Sequence, residues 1–531
     1  MTKAALKTAL MLATAGLIAL GAPAAVPEAH AQQLGSVHFP TSCNETAQRR
    51  FDRAMRYQHS FWYQQSKEIF GEVLEADPHC AIAYWGIALS LWNNPHSQPP
   101  APNLAPAHDA IVKAQLIGAK SERERDYISA LALLYTDTDT VEYRARLQQY
   151  LKAMEALAAK YPDDDEAQIF YAITLNVSAS PADKTYAQQL KGAAILEPIF
   201  KRQPQHPGIA HYLIHLYDYP PIAAKGLPAA MRYAEIAPAA PHAQHMPSHI
   251  FTRVGYWKES IASNTASVNA AKAGKENNEA LHASDYMVYA DLQLARDREA
   301  RAVIDDMMAV KNFNAAIMGA PFALAASPAR YAVERGDWAA AAALEVRPTK
   351  FPHVMAISHF ARALGAARNG NPQAARADIA KLTELRDQLR AAKDAYWANQ
   401  VDIELQIATA WTLQAEGKAD EALAAMRAAA DAEDKTEKSP VTPGPLAPAR
   451  ELLGDMLLGR GDAKDALAAF EATLAKEPNR FNATAGAAAA ADKLGDKAKA
   501  TAYYEKLVAL AAGSDSDRPA LARAKQYLAK N

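Results

Sequence analysis

The chain has 531 residues, 50% of them hydrophobic, with 57 basic and 59 acidic residues and a net charge of −2. That apolar content excludes an intrinsically disordered chain. The balanced charge, with no basic stripe, argues against a nucleic-acid binder.

The N-terminus reads as an export signal. Lys3 and Lys7 precede an apolar run from Ala9 to Leu20, and Ala29-His30-Ala31 forms an A-x-A cleavage pattern. The run of about 12 residues is shorter than the roughly 20 that a membrane-spanning helix needs. The expectation is cleavage near Ala31 and a periplasmic or secreted protein with no stable membrane span. Cys43 and Cys80 are the only cysteines. An oxidising compartment permits a disulfide between them, and two separate thiols are the alternative.

Alanine, the best helix former, dominates the second half, while strand-like runs of Val, Ile and Thr are nearly absent. Tetratricopeptide (TPR) repeats need small residues where two helices cross, an aromatic plug and a proline stop, once per 34 residues. Gly454, Gly461, Ala466, Phe470 and Pro478 fit that frame, and Gly495, Ala500 and Tyr504 continue it. Ala54, Tyr57, Ser66, Phe70 and Pro78 make a weaker unit. The expected fold is all-α, a TPR-like right-handed α-solenoid of about ten to twelve helical hairpins. The aromatic run Phe61-Trp62-Tyr63 reads most simply as repeat packing.

Two proline-rich insertions break the period. Asn93 to Pro106 reads as a loop over one end of the groove and Glu433 to Pro448 as another, and such loops commonly carry function or cover a groove. The expected organisation is a signal peptide over 1–31, a degenerate array over 32–434 and C-terminal repeats over 435–531.

The histidines carry the chemistry. His211 and His215 lie one helical turn apart, and His245 and His249 repeat the spacing 34 residues later. One repeat period places both pairs on equivalent helices lining the concave groove. Asp218, His242, Arg253, His282, Asp285 and Tyr289 fall on the same row, with Arg330 on the next unit. Four histidines with a carboxylate suit zinc, iron, manganese or copper. His211, His215, His245, His249 and Asp218 are the candidate metal ligands. His242, Arg253, His282, Asp285, Tyr289 and Arg330 are candidate contacts for a bound molecule. No glutamate follows either first histidine, so a zincin mechanism is not supported. A metal-free groove for an anionic ligand, or purely structural histidines, are the other readings. Pro247 inside the second pair places a helix start near Met246.

The stretches HPGIAHYLIHLYDYP and HAQHMPSHIFTRVGYWKES, with DPHCAIAYWGIALS and PGPLAPARELLGDMLL, resemble a bacterial family of exported TPR proteins. The resemblance implies the fold and a histidine site carried by His206, His211, His215, His242, His245, His249 and Asp218. It implies no substrate. The sequence therefore points to an exported repeat protein with a His/Asp site for a divalent transition metal or a small molecule. It leaves open whether the protein is an enzyme. The competing reading is a non-catalytic scaffold that holds a peptide of a periplasmic partner protein.

Overall fold

The computed structural model describes residues 34–530, and the expected signal peptide lies outside them. Among the described residues the secondary structure is helical, with no strand. The helices pair into twelve hairpins, from Glu45–His59 with Tyr63–Ala76 to Phe481–Lys493 with Lys497–Leu510, and Pro519–Lys530 follows. No helix among them is long and apolar enough to cross a membrane.

The hairpins form because their ends are specified locally. Asn44, Ser121, Asp164 and Asp496 each accept a backbone N–H of the helix they precede. Small residues then let paired helices close on an aromatic plug. A Cβ at Gly454 would stand 2.7 Å from the Phe470 ring, and one at Gly86 would stand 2.4 Å from the Phe70 ring. Gly454 and Phe470 are the small and aromatic positions of one repeat, while Gly86 meets Phe70 from the next hairpin.

The Cys43 and Cys80 sulfurs are bonded, tying the starts of the first two hairpins together. The expected loop from Asn93 to Pro106 is shorter than its prolines suggest. A helix begins at Ala101 and carries Pro106 inside it. Its buried stripe of Ala107, Ala110, Ile111 and Ala114 outweighs the one backbone bond that Pro106 cannot make.

One apolar cluster runs from Leu34 to Phe251 and a second from Ala295 to Ala524. The second passes without a break through residue 434, where the sequence marks an insertion. The C-terminal hairpins also fold back onto the middle of the chain. Trp257 donates its indole N–H to the Asn479 carbonyl (2.8 Å). Arg480, 1% exposed, joins Glu334, Glu451 and Tyr289. The 433–448 segment reaches back to the helices before it, through Lys438 to Asp218 and through its Pro440 and Thr442 carbonyls to Tyr286.

Candidate metal centre

Four helical segments supply the histidines. Pro207 starts the Pro207–Tyr217 helix, and Gly208 lets it pass His59, whose Nδ1 would lie 2.4 Å from a Cβ there. His211 and His215 point from consecutive turns. His242 and His245 lie on Pro241–His245, and His249 lies on Pro247–Val254. Proline 247 breaks the helix, as its position suggests, but Met246 keeps helical angles (φ −54°, ψ −36°). The His245–His249 pair therefore still faces one way. His282 comes from Asn277–Gln293.

The six imidazoles separate into two trios. His211, His215 and His242 form one, and His245, His249 and His282 the other. In each, one ligand atom per residue lies within 4.8 Å of the others. The His211 Nε2 stands 3.1 Å from His215 Nε2 and 3.2 Å from His242 Nε2. The His245 and His249 Nε2 atoms are 3.0 Å apart. The trios adjoin, with ring centres 6.1 Å apart for His215 and His249 and 6.2 Å for His242 and His245. The sequence grouped the two i, i+4 pairs together and placed His242 and His282 elsewhere. The structure gives each pair a third histidine instead.

The opposite ring nitrogens of four of the six are committed, while His282 Nδ1 is buried without a partner. His211 Nδ1 donates to the His59 carbonyl (2.8 Å). His249 Nδ1 donates to Asp218 Oδ2 (2.9 Å). His245 Nδ1 donates to Asn264 Oδ1 (2.6 Å), whose amide donates in turn to the Ser260 carbonyl. His242 Nδ1 lies 3.5 Å from Glu279. Such partners fix the tautomer and leave Nε2 as a lone-pair donor. Burial, followed by the neighbouring histidines, holds His211, His215 and His245 well below the usual imidazole range. Burial also lowers His249, against the pull of Asp218. These four rings are neutral near pH 7.

Asp218 stands behind His249 and belongs to neither trio. It accepts from Arg253 Nε (2.8 Å) and Lys438 Nζ (3.3 Å) as well as from His249. Burial alone would raise its carboxyl; Lys438, Arg253 and His249 outweigh that and hold it well below the usual range. Burial also brings Lys438 down to about 8, with Asp218 opposing. Asp285 and Arg330 serve the covering segment, and Tyr289 serves the C-terminal hairpins. Asp285 pairs with Arg330, which donates to the carbonyls of Gly444 (2.8 Å) and Pro445 (3.0 Å). Tyr289 donates to Glu477 (2.9 Å) and accepts from Arg480.

A third group, His59, Glu166 and His206, is hydrogen-bonded internally but leaves His206 Nδ1 buried without a partner. The two histidines donate to separate Glu166 oxygens (3.1 and 2.9 Å), and Tyr212 meets the other His59 nitrogen.

Several site residues escaped the sequence reading. Phe61 packs its ring 4.2 Å from His211 and 5.1 Å from His242. It does so at φ +60°, a left-handed conformation costly for an aromatic residue. The expectation of simple repeat packing is corrected for this residue. His96 lies 4.3 Å from His215, and Tyr286 lies 4.7 Å from His245. Tyr286 also donates to the Pro440 and Thr442 carbonyls, joining the covering segment to the histidines. A cavity of about 220 Å³, lined by His96, His215, Asp218, Tyr219 and Lys438, opens beside the first trio.

No protein-family model and no curated protein matches the chain. Solved structures align over most of its length. A human IFIT1 dimer with m7Gppp-AAAA is 11% identical, covering 86% of this chain and 95% of that one, with a TM-score of 0.34. Ypp1 is 10% identical, with coverages of 91% and 87% and a TM-score of 0.37. The Cut9–Hcn1 hetero-tetramer of APC/C is 12% identical, with coverages of 91% and 96% and a TM-score of 0.28. At these scores the alignments bear on neither ligand nor activity.

Proposed function

We propose that this protein is a metalloprotein whose two histidine trios hold two adjacent transition-metal ions. One observation carries the reading. His245 and His249 face each other through Nε2 atoms 3.0 Å apart, while acceptors hold the proton of each ring on Nδ1. Two lone pairs at that distance repel unless a cation lies between them, and burial disfavours a proton. The spacing fits an ion, because two ligand bonds of about 2.1 Å meeting near 90–110° place their nitrogens about 3.0–3.4 Å apart. The all-imidazole donor set suits zinc, copper or iron better than manganese.

Ions of this class act as Lewis acids and, for copper and iron, carry electrons. The protein supplies the remainder. The His59 carbonyl, Asn264, Asp218 and Glu279 orient the ligating rings. Phe61 and Tyr286 wall the site, and Lys438 and Arg253 place positive charge beside it. The cavity next to His215 gives access to a small molecule, and the two cations favour an anionic or carbonyl-bearing one. A peptide scaffold has less support, because the 433–448 segment lies where a groove-bound peptide would run.

Elemental mass spectrometry of untagged protein tests this. The expected content is about two equivalents per chain, falling to about one in either His245→Ala/His249→Ala or His211→Ala/His215→Ala. Failure to retain any metal after incubation with zinc, iron(II), manganese and copper(II) would refute the reading.

A further inference from the structure

A second cavity, of about 90 Å³, lies between the covering segment and the helices Gly319–Glu334, Pro352–Arg368 and Ala395–Ala415. Lys438 and Glu437 line both it and the opening beside the first trio. Its walls are aromatic, formed by Phe322, Phe360, Tyr396 and Trp397.

Three side chains that line this cavity, Glu404, Glu437 and His353, have polar atoms without partners. Glu404 makes no hydrogen bond or ion pair, and its charged neighbour is Glu433, another carboxyl. Glu437, 9% exposed, accepts Lys184 and Tyr186 through Oε1 and leaves Oε2 with no partner. His353, 6% exposed, stacks on Trp397 and contacts Met318 sulfur through Nε2, leaving Nδ1 with no partner. Burial brings His353 down to about 3, so it is neutral and Nδ1 is an acceptor. The cations along the wall are mostly spoken for. Arg253 and Lys438 pair with Asp218, and Arg330 pairs with Asp285. Lys476 lowers Glu433, while no cation offsets Glu404.

Carboxyl and imidazole acceptors inside an aromatic cage match a small organic cation. An ammonium group has three donors and is attracted to ring faces. We infer that this cavity binds a small alkylammonium of about four to six heavy atoms, a size set by a volume below the ~150 Å³ that accommodates benzene. The site does not depend on the metal reading.

Isothermal titration of the purified protein with isopropylammonium, 2-propanol and isobutyrate tests it, since these probes share an isopropyl group and differ in the charge of the head attached to it. Isopropylammonium should bind at least tenfold more tightly than either other probe, with and without a chelator present. Binding should release a proton, seen as a heat that varies with the buffer's ionisation enthalpy, because burial and Glu433 hold Glu404 up at about 8. Glu404→Gln should weaken binding at least tenfold. Trp397→Leu, which leaves the carboxyls in place, should weaken it about threefold, with thermal melts confirming that each variant folds. Equal binding of 2-propanol or isobutyrate, or unchanged binding by Glu404→Gln, would overturn the inference. If that variant does not fold, Glu433→Gln and Trp397→Leu decide, and unchanged binding in both overturns it.

Discussion

His245→Asn separates a metal ligand from a structural histidine. An asparagine amide can replace Nδ1–H and keep the hydrogen bond to Asn264, while it deletes Nε2. In metal-free protein the variant loses part of a ring from a buried position, at about 1 kcal/mol. It also loses the lone-pair repulsion across 3.0 Å to His249. The two effects oppose, so the metal-free variant should melt close to the parent. With metal the two proteins diverge. At free metal 100 times the dissociation constant the parent gains about 2.7 kcal/mol. Removing one of three ligands should weaken the second trio about 100-fold, which leaves the variant about 0.4 kcal/mol from that ion at the same concentration. The assay is the melting temperature of both proteins with a chelator and across a zinc or copper titration. An equal metal-induced rise in both refutes the ligand role of His245. A metal-free loss above about 3 kcal/mol would show that the pair is a stabilising contact.

Other expectations follow from the same structure. Breaking the Cys43–Cys80 bond, which spans 37 residues, should cost about 2–4 kcal/mol in chemical unfolding of a Cys43→Ser/Cys80→Ser variant. Phe61→Gly should be more stable than Phe61→Ala by about 1 kcal/mol, the reverse of the usual order, because φ at 61 is +60°. His353 is held at about 3, below its unfolded value, so its contribution is complete above pH 6.5 and is lost as pH falls toward 3. Glu404 is held up at about 8, so its contribution is present below pH 4.5 and is lost as pH rises through 8. His353→Gln should flatten the acid side of a stability–pH curve and Glu404→Gln the alkaline side, as read by denaturant titration.

The hairpins were legible because helix caps, small crossing residues and plugs such as Phe470 recur at a fixed period. The histidine row was legible for the same reason, since His211, His215, His245 and His249 sit one repeat apart. The partition into trios was not. It depends on the helix start at Pro241, which places His242 in the first turn beside His211. His96 and Lys438 were also beyond reach, because loops outside the repeat period carry them. Asp285 and Arg330 fell on the expected row, yet the covering segment engages them, and periodicity does not reveal what lies across a groove.

That covering segment also imposes an order in time. Both histidine trios are complete in the chain by His282, while Lys438 comes 156 residues later. At a synthesis rate of about 5–20 residues per second, roughly 8–30 s separate the two. The growing chain therefore presents its six imidazoles before the segment that covers them exists. Ions captured in that interval would be enclosed as synthesis finishes, whereas an ion arriving afterwards must enter past Lys438 or wait for the cover to lift. Metal selection would then follow the ions present when the chain folds rather than those met by the finished protein.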